Sequence, residues 1–134
     1  MTDVLVDSNV LLDVVLEDAR WFEWSSAALA AAATTASLVI NPVVFSEVSI
    51  GFERIEDVDD ALSAPDFRRE GIPYEAAFLA GKAFVRYRRR GGRRSSPLPD
   101  FFIGAHAATA GYRLLTRDPR AYRNQFPALE LICP

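Results

Sequence analysis

The sequence predicts an α/β fold: a three-layer α/β/α sandwich around a central, mainly parallel sheet. Three observations predict it. Short apolar runs rich in β-branched residues alternate with longer stretches of helical periodicity. Each run stops at a polar or proline turn, the pattern of strands joined by crossover helices. No linker divides the 134 residues, and 50% hydrophobic content suffices for one core, so residues 1–134 read as a single domain.

Val4-Leu5-Val6 opens the chain as a buried strand and runs into Asp7-Ser8-Asn9. Ser8 or Asn9 is placed to cap the helix formed by Val10 to Leu16. Trp21 to Ala33 reads as a second helix, alanine-dense, with Trp21, Trp24 and Ala28 at helical spacing for core or interface. Ser37 to Ile40 is the second strand. Asn41-Pro42 then starts a helix through Ile50, Asn as the cap and Pro at the first helical position.

Glu56 to Ser63 reads as a short acidic helix, and Phe67 to Ile72 as a connection, with a short strand around Arg68-Arg69 as the alternative. Tyr74 to Arg90 is the longest helix. It ends in Arg86-Tyr87-Arg88-Arg89-Arg90, stopped by Gly91-Gly92. Cations suit a helix C-terminus and glycine suits its exit. Ser95 to Pro99 is a loop, and Asp100 enters the first turn of a helix running on through Ala108. Arg113 to Thr116 is a third strand broken by Arg117-Asp118-Pro119; one helical turn over Ala121 to Asn124 and a last strand over Leu129 to Ile132 follow.

Composition excludes several classes. One cysteine, Cys133, excludes an intramolecular disulfide and cysteine-rich zinc sites. The single histidine, His106, lies in an alanine-rich helix and reads as packing or a pocket wall. No stretch approaches the ~20 apolar residues of a membrane span. The start carries no basic leader, so the expected location is the cytoplasm, with no membrane partner. The net charge of −3 hides an asymmetry: residues 1–80 carry 15 acidic and 4 basic side chains, residues 81–134 only 3 acidic and 11 basic. A basic segment within an acidic chain suits a polyanionic partner.

Four carboxylates share a geometric claim. Asp7 and Asp118 each follow an apolar strand, Glu47 lies about a turn into the helix after the second strand, and Asp100 begins a helix. In a parallel sheet these positions meet above the carboxyl ends of the strands, where ligands bind. Four acids together repel and raise one another's pKa unless a cation sits among them. Mg²⁺, a hard ion with octahedral oxygen ligands, meets that need and suits phosphodiester hydrolysis.

With these residues in order, the chain resembles the PIN-domain family of metal-dependent ribonucleases, and most of all the VapC toxins of type II toxin–antitoxin pairs. The likeness rests on Asp7-Ser8-Asn9, Glu47, Asp100 and Thr116-Arg117-Asp118, and covers nearly the whole chain. It implies an endoribonuclease whose catalytic acids are Asp7, Glu47, Asp100 and Asp118. Asp7, Asp100 and Asp118 are the implied ligands of Mg²⁺ or Mn²⁺, and Asn9 and Thr116 orient the site. Glu53 competes with Glu47, but lies nearly two turns further on. The likeness also implies a homodimer and a cognate VapB-like antitoxin. Arg86, Arg89, Arg90 and Arg93 are candidate RNA-backbone contacts; the alternatives are a solvated helix end or a protein partner.

Other classes fit less well. A phosphoacceptor signalling domain needs a cation after a late strand, whereas the only lysine, Lys82, is inside a helix. A haloacid-dehalogenase-like phosphatase needs Asp-x-Asp at the first strand, where this chain has Asn9. A PIN-like binding module without catalysis would have no need of all four acids.

Overall fold

The computed structural model describes residues 3–92 and 98–134. Among these, the elements run β1 Val4–Val6, α1 Ser8–Val15, α2 Phe22–Ala33, β2 Leu38–Ile40, α3 Pro42–Ser49, α4 Ile55–Ala61, β3 Arg68–Arg69, α5 Tyr74–Arg89, α6 Leu98–Ala110, β4 Arg113–Leu115, α7 Arg120–Arg123 and β5 Leu131–Ile132. The five strands form one sheet in the order β3-β2-β1-β4-β5, and every pairing is parallel. Helices cover it in a three-layer α/β/α arrangement, the architecture that the alternation of strands and helices predicts.

This order fixes where a ligand can bind. From β1 the chain steps outward through β2 to β3, then returns past β1 to β4 and β5. Right-handed crossovers therefore send the first four helices to one face and the last three to the other. Within each face the contacts agree: α1 packs on α2 and α3, α3 on α4, α5 on α6, and α6 on α7, while α3 also meets α6 where Asn41 bonds His106. Between β1 and β4 the connections diverge to opposite faces, which opens a crevice beyond the strand ends. Asp7 ends β1 there, and Thr116 follows β4.

β1 and β2 are buried along their whole length, because a sheet covered on both faces needs apolar residues at every position. Val4, Leu5, Val6, Val39, Leu114 and Leu115 are sealed from solvent and form the centre of the core with Phe101, Ile103 and Tyr122. Trp24 and Ala28 pack against its rim. The expected cap of α3 is present: Asn41 Oδ1 accepts the Val44 N–H at 2.9 Å, with Pro42 at the first helical position.

Three readings of the sequence change. Arg68-Arg69 is a strand, pairing with Val39 and Ile40, although its two side chains are exposed. An edge strand needs only one hydrogen-bonded side, and charged residues there protect the open one. The cap of α1 is Asp7 in extended conformation, with no side-chain capping bond; Ser8 and Asn9 turn instead toward residues distant in sequence. The later helix begins at Leu98, before Asp100, with Pro99 in the first turn where its missing N–H does no harm.

The arginine-rich end of α5 closes as the glycines predict. Gly91 N–H donates to Arg88 O and Gly92 N–H to Tyr87 O, at 3.1 and 3.0 Å, with Gly91 at φ +87°. A Cβ on Gly92 would collide with the Tyr87 ring. That ring meets Phe101 edge-on at 5.6 Å, and Phe84 meets Phe101 at 6.0 Å, so the basic end of α5 is anchored beside Phe101, the neighbour of Asp100.

His106 is buried on α6 as packing with a polar edge. Asn41 uses Oδ1 for its cap, so Nδ2 donates to His106 Nδ1 at 3.0 Å. The imidazole proton therefore sits on Nε2, which lies 3.4 Å from Glu70 Oε1. Burial holds His106 below its ordinary pKa despite that carboxylate.

Candidate active site

Asp7 is the centre of the site because β1 ends on it in the middle of the sheet. It is 3% exposed. Its Oδ2 accepts three hydrogen bonds: from Tyr122 OH at 2.7 Å, Thr116 Oγ1 at 2.9 Å and Asn9 Nδ2 at 3.3 Å. Its Oδ1 lies 3.4 Å from Ser8 Oγ, and the Ser8 backbone N–H also donates to the carboxyl. The donors come from α1, the end of β4 and α7, so they exist together only in the folded sheet.

Ser8 also donates to Glu47 Oε1 at 2.8 Å, tying α1 to α3. On the other side the Tyr122 hydroxyl lies 3.3 Å from Asp100 Oδ1, tying α7 to α6. A continuous chain, Glu47–Ser8–Asp7–Tyr122–Asp100, thus runs across the ends of the central strands. Thr116 accepts the Asp118 N–H at 3.1 Å and meets Asn9 Nδ2 at 3.4 Å, and Asn9 Oδ1 accepts the Arg117 N–H at 3.3 Å. Asp118 is at the open rim, 4.0 Å from Arg120. Glu53 is exposed beyond the end of α3, outside this chain of contacts.

The electrostatics follow from burial without counter-charge. Among the described residues, no Lys or Arg forms an ion pair with Asp7, Glu47 or Asp100. Burial pushes Asp7 upward, and the bonds from Tyr122, Thr116 and Ser8 only partly offset it. Burial also raises Glu47, with the charge of Asp7 adding to it against the bond from Ser8. Asp100 is pushed up to about 7, by burial first and then by the charges of Asp7, Glu47 and Asp118. Tyr122 is raised by burial and by its acidic neighbours, so its phenol stays a neutral donor.

The donor chemistry is that of a hard divalent cation, with carboxylate oxygens and no sulfur or imidazole. Among the described residues, no three His, Cys, Asp or Glu side chains stand grouped as a ready cage. The carboxylates are instead linked in pairs through the hydroxyls of Ser8 and Tyr122. The oxygen set fits Mg²⁺ or Mn²⁺ in kind and in its deficit of positive charge.

Three contributors were not singled out by sequence reasoning. Ser8 read as a helix cap. Tyr122 gave only a faint signal, one aromatic among Arg120, Ala121, Arg123 and Asn124, a turn beyond Asp118. Arg117 read as a turn residue, yet its Nε lies 2.8 Å from buried Asp13 and its guanidinium stands 5.4 Å from the Trp21 ring centre. Asp13 in turn accepts from Ser25 Oγ at 2.7 Å. This latch ties the turn after β4 to α1 and α2. Arg86, Arg89 and Arg90 are exposed at the end of α5; Arg93 lies outside the described residues.

A parallel α/β sheet with a buried aspartate and half-buried, cation-poor carboxylates at its central crevice defines a class of protein rather than a single one. The PIN domain family profile matches residues 4–127, and the chain belongs to that family. Its fold is similar to VapBC2 from Rickettsia felis, solved bound to a DNA fragment from its promoter, with TM-score 0.74, 16% identity and 97% of each chain covered. It is also similar to a toxin–antitoxin complex from Klebsiella pneumoniae, with TM-score 0.71, 20% identity, and 97% and 96% covered. FitAcB from Neisseria gonorrhoeae gives TM-score 0.71 at 15% identity, with 96% of each chain covered. No curated protein matches it in sequence.

Proposed function

We propose that this protein is a metal-dependent endoribonuclease that hydrolyses RNA phosphodiester bonds, and that it acts as the toxin of a toxin–antitoxin pair. The observation that carries the reading is the chain Glu47–Ser8–Asp7–Tyr122–Asp100, buried at Asp7 and half-buried at both ends, which gathers three acids at the sheet's crevice with no basic side chain among the described residues paired to them. Membership of the PIN family supports the hydrolytic reading.

Asp7, Asp100 and Asp118 would hold Mg²⁺ or Mn²⁺, with Glu47 beside them. The bound ion supplies a water nucleophile at neutral pH and charge neutralisation at the scissile phosphate. Asn9 and Thr116 orient Asp7 by donating to Oδ2. Glu47, raised in pKa and tied to Ser8, is suited to hold or pass a proton at the same edge. Arg86, Arg89 and Arg90 would meet the RNA backbone: they extend from the end of α5 that is anchored on Phe101, next to Asp100.

The toxin reading comes from the solved structures of similar fold, one of which is a toxin–antitoxin complex. By that reading this chain works in the cytoplasm as a homodimer, and a VapB-like antitoxin blocks its site. The test is cleavage of single-stranded RNA by the purified chain. Cleavage should require Mg²⁺ or Mn²⁺, stop on chelation and be absent from Asp100→Ala. Expression of the chain alone should arrest growth, and Asp100→Ala should not. Metal-independent cleavage, or equal arrest by the variant, would overturn the reading.

A further inference from the structure

Tyr122 is fully buried, yet its hydroxyl emerges among the carboxylates. Its ring is held by α7, which Pro119 starts immediately after Asp118. On α6, Gly104 makes room for the aromatic rings beneath the site. A Cβ there would come within 2.5 Å of the Phe126 ring and 3.1 Å of the Tyr122 ring. The ring thus has no space to swing away, and the direction of the hydroxyl is set by packing.

The hydroxyl carries one proton. The shorter contact, 2.7 Å to Asp7 Oδ2, takes it, and Asp100 Oδ1 at 3.3 Å is the second acceptor in reach. With Thr116 and Asn9 also donating to Oδ2, that oxygen is fully used. Oδ1, whose only neighbours among the described residues are the Ser8 groups, with Ser8 Oγ at 3.4 Å, is the less engaged oxygen and the one open to a ligand. Tyr122 is also the one side chain, among the described residues, whose hydroxyl lies within hydrogen-bond distance of both Asp7 and Asp100.

We infer that Tyr122 is a positioning residue for the metal site, donating to Asp7 Oδ2 so that Oδ1 faces the cation, and holding Asp7 and Asp100 at a fixed spacing. The inference rests on the metal-site reading above. It follows the general behaviour of outer-sphere hydrogen bonds, whose loss weakens metal affinity about 10–100-fold. Phe in place of Tyr removes the hydroxyl and keeps the ring, so fold and charge are conserved.

The test is calorimetric titration of Mn²⁺ into the full chain and into Tyr122→Phe, Thr116→Val and Phe67→Leu, with circular dichroism on each. Thr116→Val removes a second donor to the same oxygen. Phe67→Leu loosens the core beside the edge strand, away from the site, and reads out stability alone. The expected result is a Kd for Mn²⁺ weaker by about tenfold or more in Tyr122→Phe. Thr116→Val should weaken in the same sense, and Phe67→Leu should keep the parental Kd while melting lower. A parental Kd in Tyr122→Phe overturns the role of Tyr122 and leaves the metal site standing. Should Tyr122→Phe lose its fold, a parental Kd in Thr116→Val overturns it instead. A parent chain that takes up no Mn²⁺ overturns both.

Discussion

Asp7 and Glu70 both lie beside a tyrosine hydroxyl on the same sheet, yet their carboxyls are displaced in opposite directions. Glu70 receives Tyr112 OH at 2.8 and 2.9 Å and faces Arg68 Nη2 at 2.9 Å; the same guanidinium reaches Asp3 at 2.7 Å. Burial works against its ionisation, but Tyr112 and Arg68 together outweigh burial and hold it below the ordinary carboxylate range. Asp7 has the hydroxyls of Tyr122, Thr116 and Ser8 and no guanidinium, and burial prevails. The difference teaches what neutral donors can do. They orient a buried carboxylate, but they do not offset the loss of hydration of several gathered charges. One cluster already contains its cation; the other has no basic partner among the described residues, the deficit on which the metal-site proposal rests.

The strongest way to break this comparison is to remove the central charge of the cation-poor cluster. Asp7→Asn should lower RNA cleavage by at least about 10²-fold, the scale of losing one electrostatic partner of a transition state. The metal-free variant should melt at or above the parental temperature, because a repelled buried charge is gone. Cleavage assays and thermal unfolding without metal check both, and a variant that cuts at the parental rate sinks the assignment.

Protons should compete with the proposed divalent cation. Asp100 titrates near 7, above the 3.8 of an ordinary Asp. The folded, metal-free chain therefore holds an extra proton between those values. Its contribution to stability is complete below about pH 4 and is lost as pH rises through 7. Binding Mn²⁺ should expel that proton, so apparent affinity should fall about tenfold per pH unit below 7 and level off above it. Calorimetry in buffers of different ionisation enthalpy counts the proton directly. Affinity flat from pH 5 to 8 would show that Asp100 is already ionised.

If RNA is the substrate, the exposed arginines at the end of α5, anchored beside Phe101, are candidates to meet its backbone. Replacing Arg86, Arg89 and Arg90 with Gln preserves helix propensity. The slope of log K against log salt should become shallower by up to roughly 2, at about 0.7 per lost contact on a single strand. An unchanged slope with weakened self-association or antitoxin binding would assign the arginines to a protein surface.

The smallest expected effect comes from making the paired cluster resemble the unpaired one. Arg68→Met leaves Glu70 and Asp3 without their guanidinium. Arg68 is 43% exposed, so solvent screening limits the loss to about 1 kcal/mol at pH 7. Because the folded pKa of Glu70 is depressed, its contribution is present above the ordinary value of 4.5 and fades as pH falls through the folded one. Urea unfolding of variant and parent should therefore converge toward pH 3. A gap that persists there would mean that Arg68 acts through packing over Tyr112, whose ring centre is 5.9 Å from its guanidinium.

The sequence by itself determined the alternation of strands and helices, the fully buried β1 and β2, the Asn41 cap and the glycine exit of α5. All follow from residues near one another in the chain: apolar periodicity, proline, glycine and short polar side chains act over a turn or less. It also marked Asp7, Glu47, Asp100 and Asp118: Asp7 and Asp118 follow strands, Asp100 begins a helix and Glu47 lies about a turn into the helix after the second strand, positions that a parallel sheet turns toward one edge. Only the tertiary structure decided that Arg68-Arg69 pairs as an edge strand, since its ladder partner is a strand about 29 residues earlier. It alone turned Ser8 from a cap into the link between Asp7 and Glu47, and set Tyr122 between Asp7 and Asp100. Those bonds span 39, 115 and 22 residues. Their geometry comes from the order in which parallel strands stack, which no local pattern encodes.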